Sequence, residues 1–218
     1  MTTTLTGSGK SANVKKAKLV TKGKYNFAAI DNAHAQSSPS PLREMRLGGI
    51  KRVGVIFPYN PTLNLQGSVA YGQYDLTHTN YQPHFYSATQ NQQITLGFNF
   101  TASTLEEANY MLGFMHFLRT ITKMNFGKGD DFAGMPPPVL EFSCYGDYQF
   151  NNVPVVIRSY SYDQTGQEDY VDTSYNTQVP TFLTGFCDII TQYTPGKTLN
   201  EFTLQQFAQG KLVGKGFI

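Results

Sequence analysis

The spacing of apolar positions changes twice along this chain, and each change marks an element. From Gln93 to Thr101 the pattern alternates strictly, with Ile94, Leu96, Phe98 and Phe100 on one face and Thr95, Gly97 and Asn99 on the other. A period of two predicts a half-buried strand. The period then lengthens. Leu105, Ala108, Met111, Leu112, Met115, Leu118 and Ile121 fall three or four apart, which predicts a helix over about 103–124 with one broad core face. Ser103 or Thr104, with Glu106 or Glu107 three residues on, can form a capping box. Acids in the first turn, with Arg119 and Lys123 in the last, suit the helix dipole. Gly127 is the predicted stop. Phe114 and Phe117 widen the apolar surface beyond one stripe. They predict contact on a second side, which makes Phe114, Phe117, Arg119 and Lys123 candidate contacts between subunits.

The flanking segments read mostly as strands. Arg52–Phe57 is a short apolar run ended by Pro58 and Pro61. Gln66–Tyr86, rich in Tyr, Thr and Gln, predicts a loose hairpin or loop. After a Pro-rich turn at Gly134–Pro138, strands are expected at Val139–Tyr145, Tyr148–Phe150, Val153–Tyr162 and Val179–Tyr193. Asn151-Asn152 serves as a turn and Asp163–Thr177 as a polar loop. Glu201–Ala208 suits a short helix. The fold class is therefore mainly β with one long helix (α+β).

Residues 1–50 read differently. They are rich in Thr, Ser and Gly, with a Lys run at 15–24 and a Ser-Pro-Ser-Pro stretch. Low hydrophobicity with high net charge disfavours independent folding. This predicts an extended basic arm ahead of a domain spanning 51–218, with no internal repeat. Charge is split accordingly. Residues 1–52 carry ten Lys/Arg against Asp31 and Glu44, and residues 53–218 carry seven against thirteen Asp/Glu. Lys15, Lys16, Lys18, Lys22 and Lys24 are the candidate arm contacts, toward a neighbouring copy or toward nucleic acid.

Charged residues make up only 15% of the chain, against roughly 25% in an ordinary soluble domain. Fourteen Tyr and sixteen Phe stand beside no Trp. Depleted charge with enriched aromatics is the composition of surfaces that meet other subunits. Cys144 and Cys187 sit in apolar strand-like contexts, as buried free thiols of a reduced, intracellular protein do. No run reaches the ~18 apolar residues of a membrane span.

Candidate chemistry is sparse. Gly7-Ser8-Gly9-Lys10-Ser11 resembles the end of a phosphate-binding loop, but Thr4 stands where the first Gly belongs and no strand precedes it. His34, His78, His84 and His116 form no metal-ligand spacing. The carboxylate pairs Glu106/Glu107, Asp130/Asp131 and Glu168/Asp169 fit a helix start and polar loops better than a glycosidase groove. No catalytic residue, metal ligand or cofactor is expected.

Tyr110-Met111-Leu112-Gly113, His116-Phe117-Leu118-Arg119, Lys123-Met124 and Phe126-Gly127 together resemble the signature helix of baseplate tube proteins of contractile-tailed bacteriophages. These are the tube initiators, or hub–tube adaptors. The resemblance continues through Pro136-Pro137-Pro138-Val139-Leu140, Tyr145-Gly146 and Asn152-Val153-Pro154-Val155-Val156-Ile157. It ends at Asp169-Tyr170-Val171, Val179-Pro180-Thr181 and Tyr193-Thr194-Pro195, covering roughly 40–218. It implies a tail-tube fold of two antiparallel sheets in a sandwich or barrel, flanked by a helix. It implies a homo-hexameric ring between the baseplate hub and the tail tube, with DNA passing through the lumen and no catalysis. The partners would be the hub, the tube and the tape-measure protein, with no membrane. The place would be the virion tail, assembled in the host cytoplasm. The other class consistent with Tyr- and Asn-rich loops is a carbohydrate- or receptor-binding β-sandwich module of the tail.

Overall fold

The computed structural model describes residues 16–22, 40–45, 47, 53–126, 134–164, 166 and 168–218. Eleven strands are present among them: β1 (Lys18–Thr21), β2 (Gly54–Ile56), β3 (Thr62–Gln66), β4 (Val69–Gln73), β5 (His84–Thr89), β6 (Gln93–Thr101), β7 (Leu140–Cys144), β8 (Phe150–Asp163), β9 (Tyr170–Asp172), β10 (Gln178–Pro180) and β11 (Phe182–Thr191). The helices are α1 (Leu105–Ile121), α2 (Pro195–Glu201) and α3 (Leu204–Ala208), with single 3₁₀ turns at Pro41–Met45 and Val213–Lys215. The fold is mainly β with one long helix, as the periodicity predicts.

Seven strands form one antiparallel sheet in the order β2-β1-β7-β8-β11-β6-β3. Its first and last strands, β2 and β3, are neighbours in sequence, joined only by Phe57–Pro61. A flat seven-stranded sheet would be about 29 Å wide. The link from Ile56 to Thr62 reaches at most about 20 Å. The sheet therefore curls until its edges approach each other. The link fastens the curl: Tyr59 hydrogen-bonds Thr101 of β6 (3.1 Å), Asn60 accepts from the Ala17 amide (3.3 Å), and the Tyr145 hydroxyl donates to the Pro61 carbonyl (3.0 Å). The antiparallel architecture expected is thus one curled seven-stranded sheet with two two-stranded ribbons, β4–β5 and β9–β10, beside it.

Helix α1 lies across this curl. Thr104 caps it in a reciprocal box with Glu107. It ends at Ile121 with Thr122 as its cap, so the predicted stop, Gly127, falls beyond the helix and outside the described residues. Phe114 stacks on Phe100 (4.4 Å) and meets Phe98 and Phe57 edge-on (5.0 and 5.9 Å). On its other side Gly113 meets the 3₁₀ turn; a Cβ there would sit 2.8 Å from the Pro41 carbonyl oxygen. The β9–β10 ribbon is held to α1 by Asn109, which donates to the Ser174 hydroxyl (3.0 Å) and accepts its amide (2.9 Å). Tyr110 seals the edge strand. Its hydroxyl accepts the Ile56 amide (2.9 Å) and donates to the Ile56 carbonyl (2.8 Å). Those are the groups through which β2 would otherwise be open to further pairing.

Three expectations change, and of the two forms expected for Gln66–Tyr86, hairpin or loop, the hairpin is the one observed. The segment 1–50 is not wholly an arm: β1 is inserted between β2 and β7, and Ala17 and Leu19 are fully buried. Leu42 and Met45 join the same core. Asn151-Asn152 lies within continuous β8; Asn152 (φ 50) forms a bulge whose amide the Ser143 hydroxyl accepts at 3.0 Å, and the chain reverses at Tyr145-Gly146 instead. The strand expected at Val179–Tyr193 breaks into β10 and β11, because the Thr181 amide turns aside to the Asp169 carbonyl (2.9 Å). The Gln66–Tyr86 region is an ordered ribbon, β4 paired to β5, that continues the β3–β6 ladder outward through a bond from the Gln90 amide to the Ser68 carbonyl (3.0 Å).

Candidate functional site

The residues singled out on the helix divide sharply. Phe114 and Phe117 have no exposed surface. They do not reach a neighbour: α1 is wrapped by the sheet, the 3₁₀ turn and the β9–β10 ribbon, so its second apolar side is covered within the chain. Arg119 is exposed, but Tyr162 of β8 holds it: Nε donates to the Tyr162 hydroxyl at 3.0 Å, a second guanidinium nitrogen donates to the same oxygen, and the guanidinium lies 5.8 Å from the ring. Lys123 is exposed just beyond the helix. Of the arm lysines, Lys15 and Lys24 lie outside the described residues. Lys16 and Lys18 are half-buried and Lys22 is exposed, at the two ends of β1.

The titratable groups do not converge. No cluster of three or more His, Cys, Asp or Glu capable of holding a metal occurs among the described residues. His78 and His84 are both exposed on the ribbon. His116 is half-buried on α1, and burial, then the charge of Arg119, lowers its pKa. Burial raises the thiols of Cys144 and Cys187 to about 11 and about 12, so neither is a nucleophile near neutrality. Glu107 serves the helix cap, with Glu106 beside it in the first turn. Gly7–Ser11 and Asp130/Asp131 lie outside the described residues. No described helix is long and apolar enough to cross a membrane.

What the structure does assemble is surface. The β4–β5 ribbon stands away from the body: β5 is exposed at all six positions and β4 at alternate ones. Tyr71, Tyr74, Tyr81 and Tyr86 are 62%, 55%, 89% and 60% exposed, and Phe85 is 42% exposed. The rings touch mainly one another, Tyr71 with Tyr86 (6.3 Å) and Tyr74 with Phe85 (4.6 Å). Between Arg52 and Glu106 the only charged residue is Asp75. Sequence inspection marks this stretch as Tyr-rich. The missing charge is the stronger signal, and it is visible once the ribbon is seen to be exposed.

Behind the ribbon, β3, β6 and β11 present a second neutral surface. Their outward residues form a shallow cleft of about 380 Å³ lined by Thr62, Asn64, Thr95, Asn99, Thr184 and Phe186. Gly97 makes room in its floor, with the Phe186 ring 3.7 Å from where a Cβ would be, and Phe186 is 58% exposed. The nearest carboxylate, Asp188, is already engaged by the hydroxyls of Thr95 (2.6 Å) and Ser159 (2.8 Å), which hold its pKa below the usual carboxylate value. A third surface is C-terminal. Lys197 lies 4.9 Å from the Phe217 ring centre and 5.9 Å from that of Tyr193, and donates to the Lys215 carbonyl (2.5 Å). Burial lowers its pKa, with Lys22 nearby adding to the effect. Leu199 and Leu204 beside it are 83% and 74% exposed.

No protein-family model matches the chain, and no curated protein matches it. Among solved structures it is similar to a chain in the tail of an empty GTA particle, determined with helical refinement and C6 symmetry. That similarity has 7% identity and a TM-score of 0.34, covering 68% of this chain and 87% of the other.

Proposed function

We propose that this chain is a structural, non-catalytic subunit of a phage-like contractile tail. It forms a homo-hexameric ring that joins the baseplate hub to the tail tube and starts tube assembly, with DNA passing through the lumen. One observation carries the reading: a charge-poor, aromatic ribbon stands off the body with its rings in water. A two-stranded ribbon is marginal alone, and exposed rings without charge mark a surface completed by other subunits. The signature residues of the sequence resemblance support the reading structurally. Tyr110 seals an edge strand and Gly113 admits the 3₁₀ turn, so these positions have definite work in this fold.

Cryo-electron microscopy of the native particle, with this chain traced in density, tests the proposal. Six copies in a ring between hub and tube are expected. Many copies along the tail would make it the repeating tube subunit instead. A position on a peripheral fibre would overturn the reading in favour of a receptor- or carbohydrate-binding module.

A further inference from the structure

We propose that residues 195–218 form a releasable guard over the open end of β8: docked, the segment denies that strand end to other chains, and released, it exposes the end for pairing. The contact is autoinhibitory, and it stands independently of the ring reading.

The strand end is bare on one side. β8 runs from Phe150 to Asp163, but its partner β11 reaches only Val155. The last bond on that side runs from the Gln192 amide to the Pro154 carbonyl (2.8 Å). Asn151–Val153, about 10 Å of strand, lies against β7 on one side and beyond the end of β11 on the other. An uncovered edge is a template for pairing with another chain, and charge is a common protection. Between Asp147 and Arg158 there is no charged residue.

The C-terminal segment occupies that place. Gly216 (φ 78) brings backbone against it: a Cβ there would sit 2.5 Å from the Asn152 carbonyl oxygen and 3.3 Å from that of Asn151. Carbonyl oxygens are edge groups of a strand, so the segment covers an edge. A Cβ on Gly210 would meet the Tyr148 hydroxyl (3.1 Å), in the turn that leads into β8.

The segment is also built to come away as a unit. Its helices α2 and α3, of seven and five residues, are far below the ~12–15 that hold a helix in water. Its backbone bonds close locally, from the Thr198 amide on the Thr194 carbonyl to the Phe217 amide on the Leu212 carbonyl. Leu212 and Phe217 are buried outside the main core. Phe217 stacks on Tyr193 (5.0 Å) and packs on Phe202 (5.6 Å), which meets Phe207 (5.7 Å). Lys197 is the pin: from α2 it reaches the Lys215 carbonyl (2.5 Å) and the Phe217 ring, on either side of Gly216. Units with their own small cluster open at lower free energy than the whole fold.

Thiol labelling and native mass spectrometry of the full chain test this. Leu212→Cys places a thiol in the buried interior of the segment. It should react about a hundredfold faster than native Cys187, which sits on β11 between β8 and β6 and reports opening of the sheet. Adding Lys197→Gln should raise that rate about tenfold and leave Cys187 unchanged. Adding Leu199→Ser, at an exposed position of α2, should change neither. In the native cysteine background, Lys197→Gln and Phe217→Ala should each associate at about tenfold lower protein concentration than the wild type. Asn151→Lys, which sets a charge on the edge, should cancel that gain. A Leu212→Cys thiol no faster than Cys187 would overturn separate release. Release without added association would overturn the guard role. Association that survives Asn151→Lys would overturn the edge assignment. The ring reading stands or falls on the wild type's own assemblies, so its failure is distinguishable from each of these.

Discussion

Replacing Tyr110 by Phe isolates what one hydroxyl contributes to the closed edge of the sheet. The ring stays, stacked over Phe100 at 6.4 Å. What disappears is the oxygen that accepts the Ile56 amide and donates to the Ile56 carbonyl. A typical net hydrogen bond contributes about 1 kcal/mol, but leaving a covered backbone group unpaired costs about 1–3 kcal/mol. Two groups are orphaned here, and Ile56 is half-buried, so water can recover part of the loss. The expected destabilisation is about 2 kcal/mol, measured as a fall in the urea midpoint at unchanged slope. Tyr175→Phe is the control. Its hydroxyl meets Glu44 on the exposed surface at 3.1 Å, so its removal should cost under about 0.5 kcal/mol. If both variants lose the same small amount, the hydroxyl does not seal the edge. A spectrophotometric titration gives a second check. Burial raises the Tyr110 pKa to about 12, so one tyrosine should ionise last, and the Phe variant should lack it.

Gly113→Ala sets two effects in opposition. Helix propensity favours Ala by about 1 kcal/mol, while crowding the Pro41 carbonyl costs about 1–3 kcal/mol; calorimetry should show a lower Tm, and a higher one would disprove that contact. Phe114→Ala should cost about 3–5 kcal/mol in denaturant unfolding, whereas Phe186→Ala should leave monomer stability within about 0.5 kcal/mol. The pKa of His116 is lowered in the folded state, so the unfolded chain binds the extra proton first. Wild-type stability should therefore fall, relative to His116→Gln, as pH drops below about 6.5, and parallel stability profiles from pH 7 to 5 would contradict this. Cys144 and Cys187 should react with a thiol reagent at neutral pH only after unfolding; rapid labelling of the native protein would show that they are accessible.

The elements legible in the sequence were those whose partners are nearby or whose pattern is long. Gln93–Thr101 is half-buried along nine residues, so its alternation fixes both ends. The Thr104–Glu107 box is local chemistry. By contrast, β1 is four residues, Lys-Leu-Val-Thr, in a basic and polar context, and its partners β2 and β7 lie more than 30 and more than 110 residues away. Four residues carry too little periodicity to announce a strand. Phe114 and Phe117 were readable as apolar on a second side of the helix. Which molecule covers that side is a tertiary fact, and the cover proved to be the chain itself. The cleft had no signal in the sequence: Thr62, Asn64, Asn99 and Thr184 are ordinary outward sheet residues until the strands set them side by side.

The placement of β1 also bears on the order of synthesis. Its slot between β2 and β7 cannot be completed until the residues of β7 have been made. At about 5–20 residues per second, that interval lasts several seconds to tens of seconds. Throughout it Leu19 and Val20 belong to an unfinished sheet with an open edge, beside a lysine-rich segment. Like charge on emerging chains would hold those edges apart, so the N-terminal lysines could guard the nascent protein before any contact in the finished assembly exists.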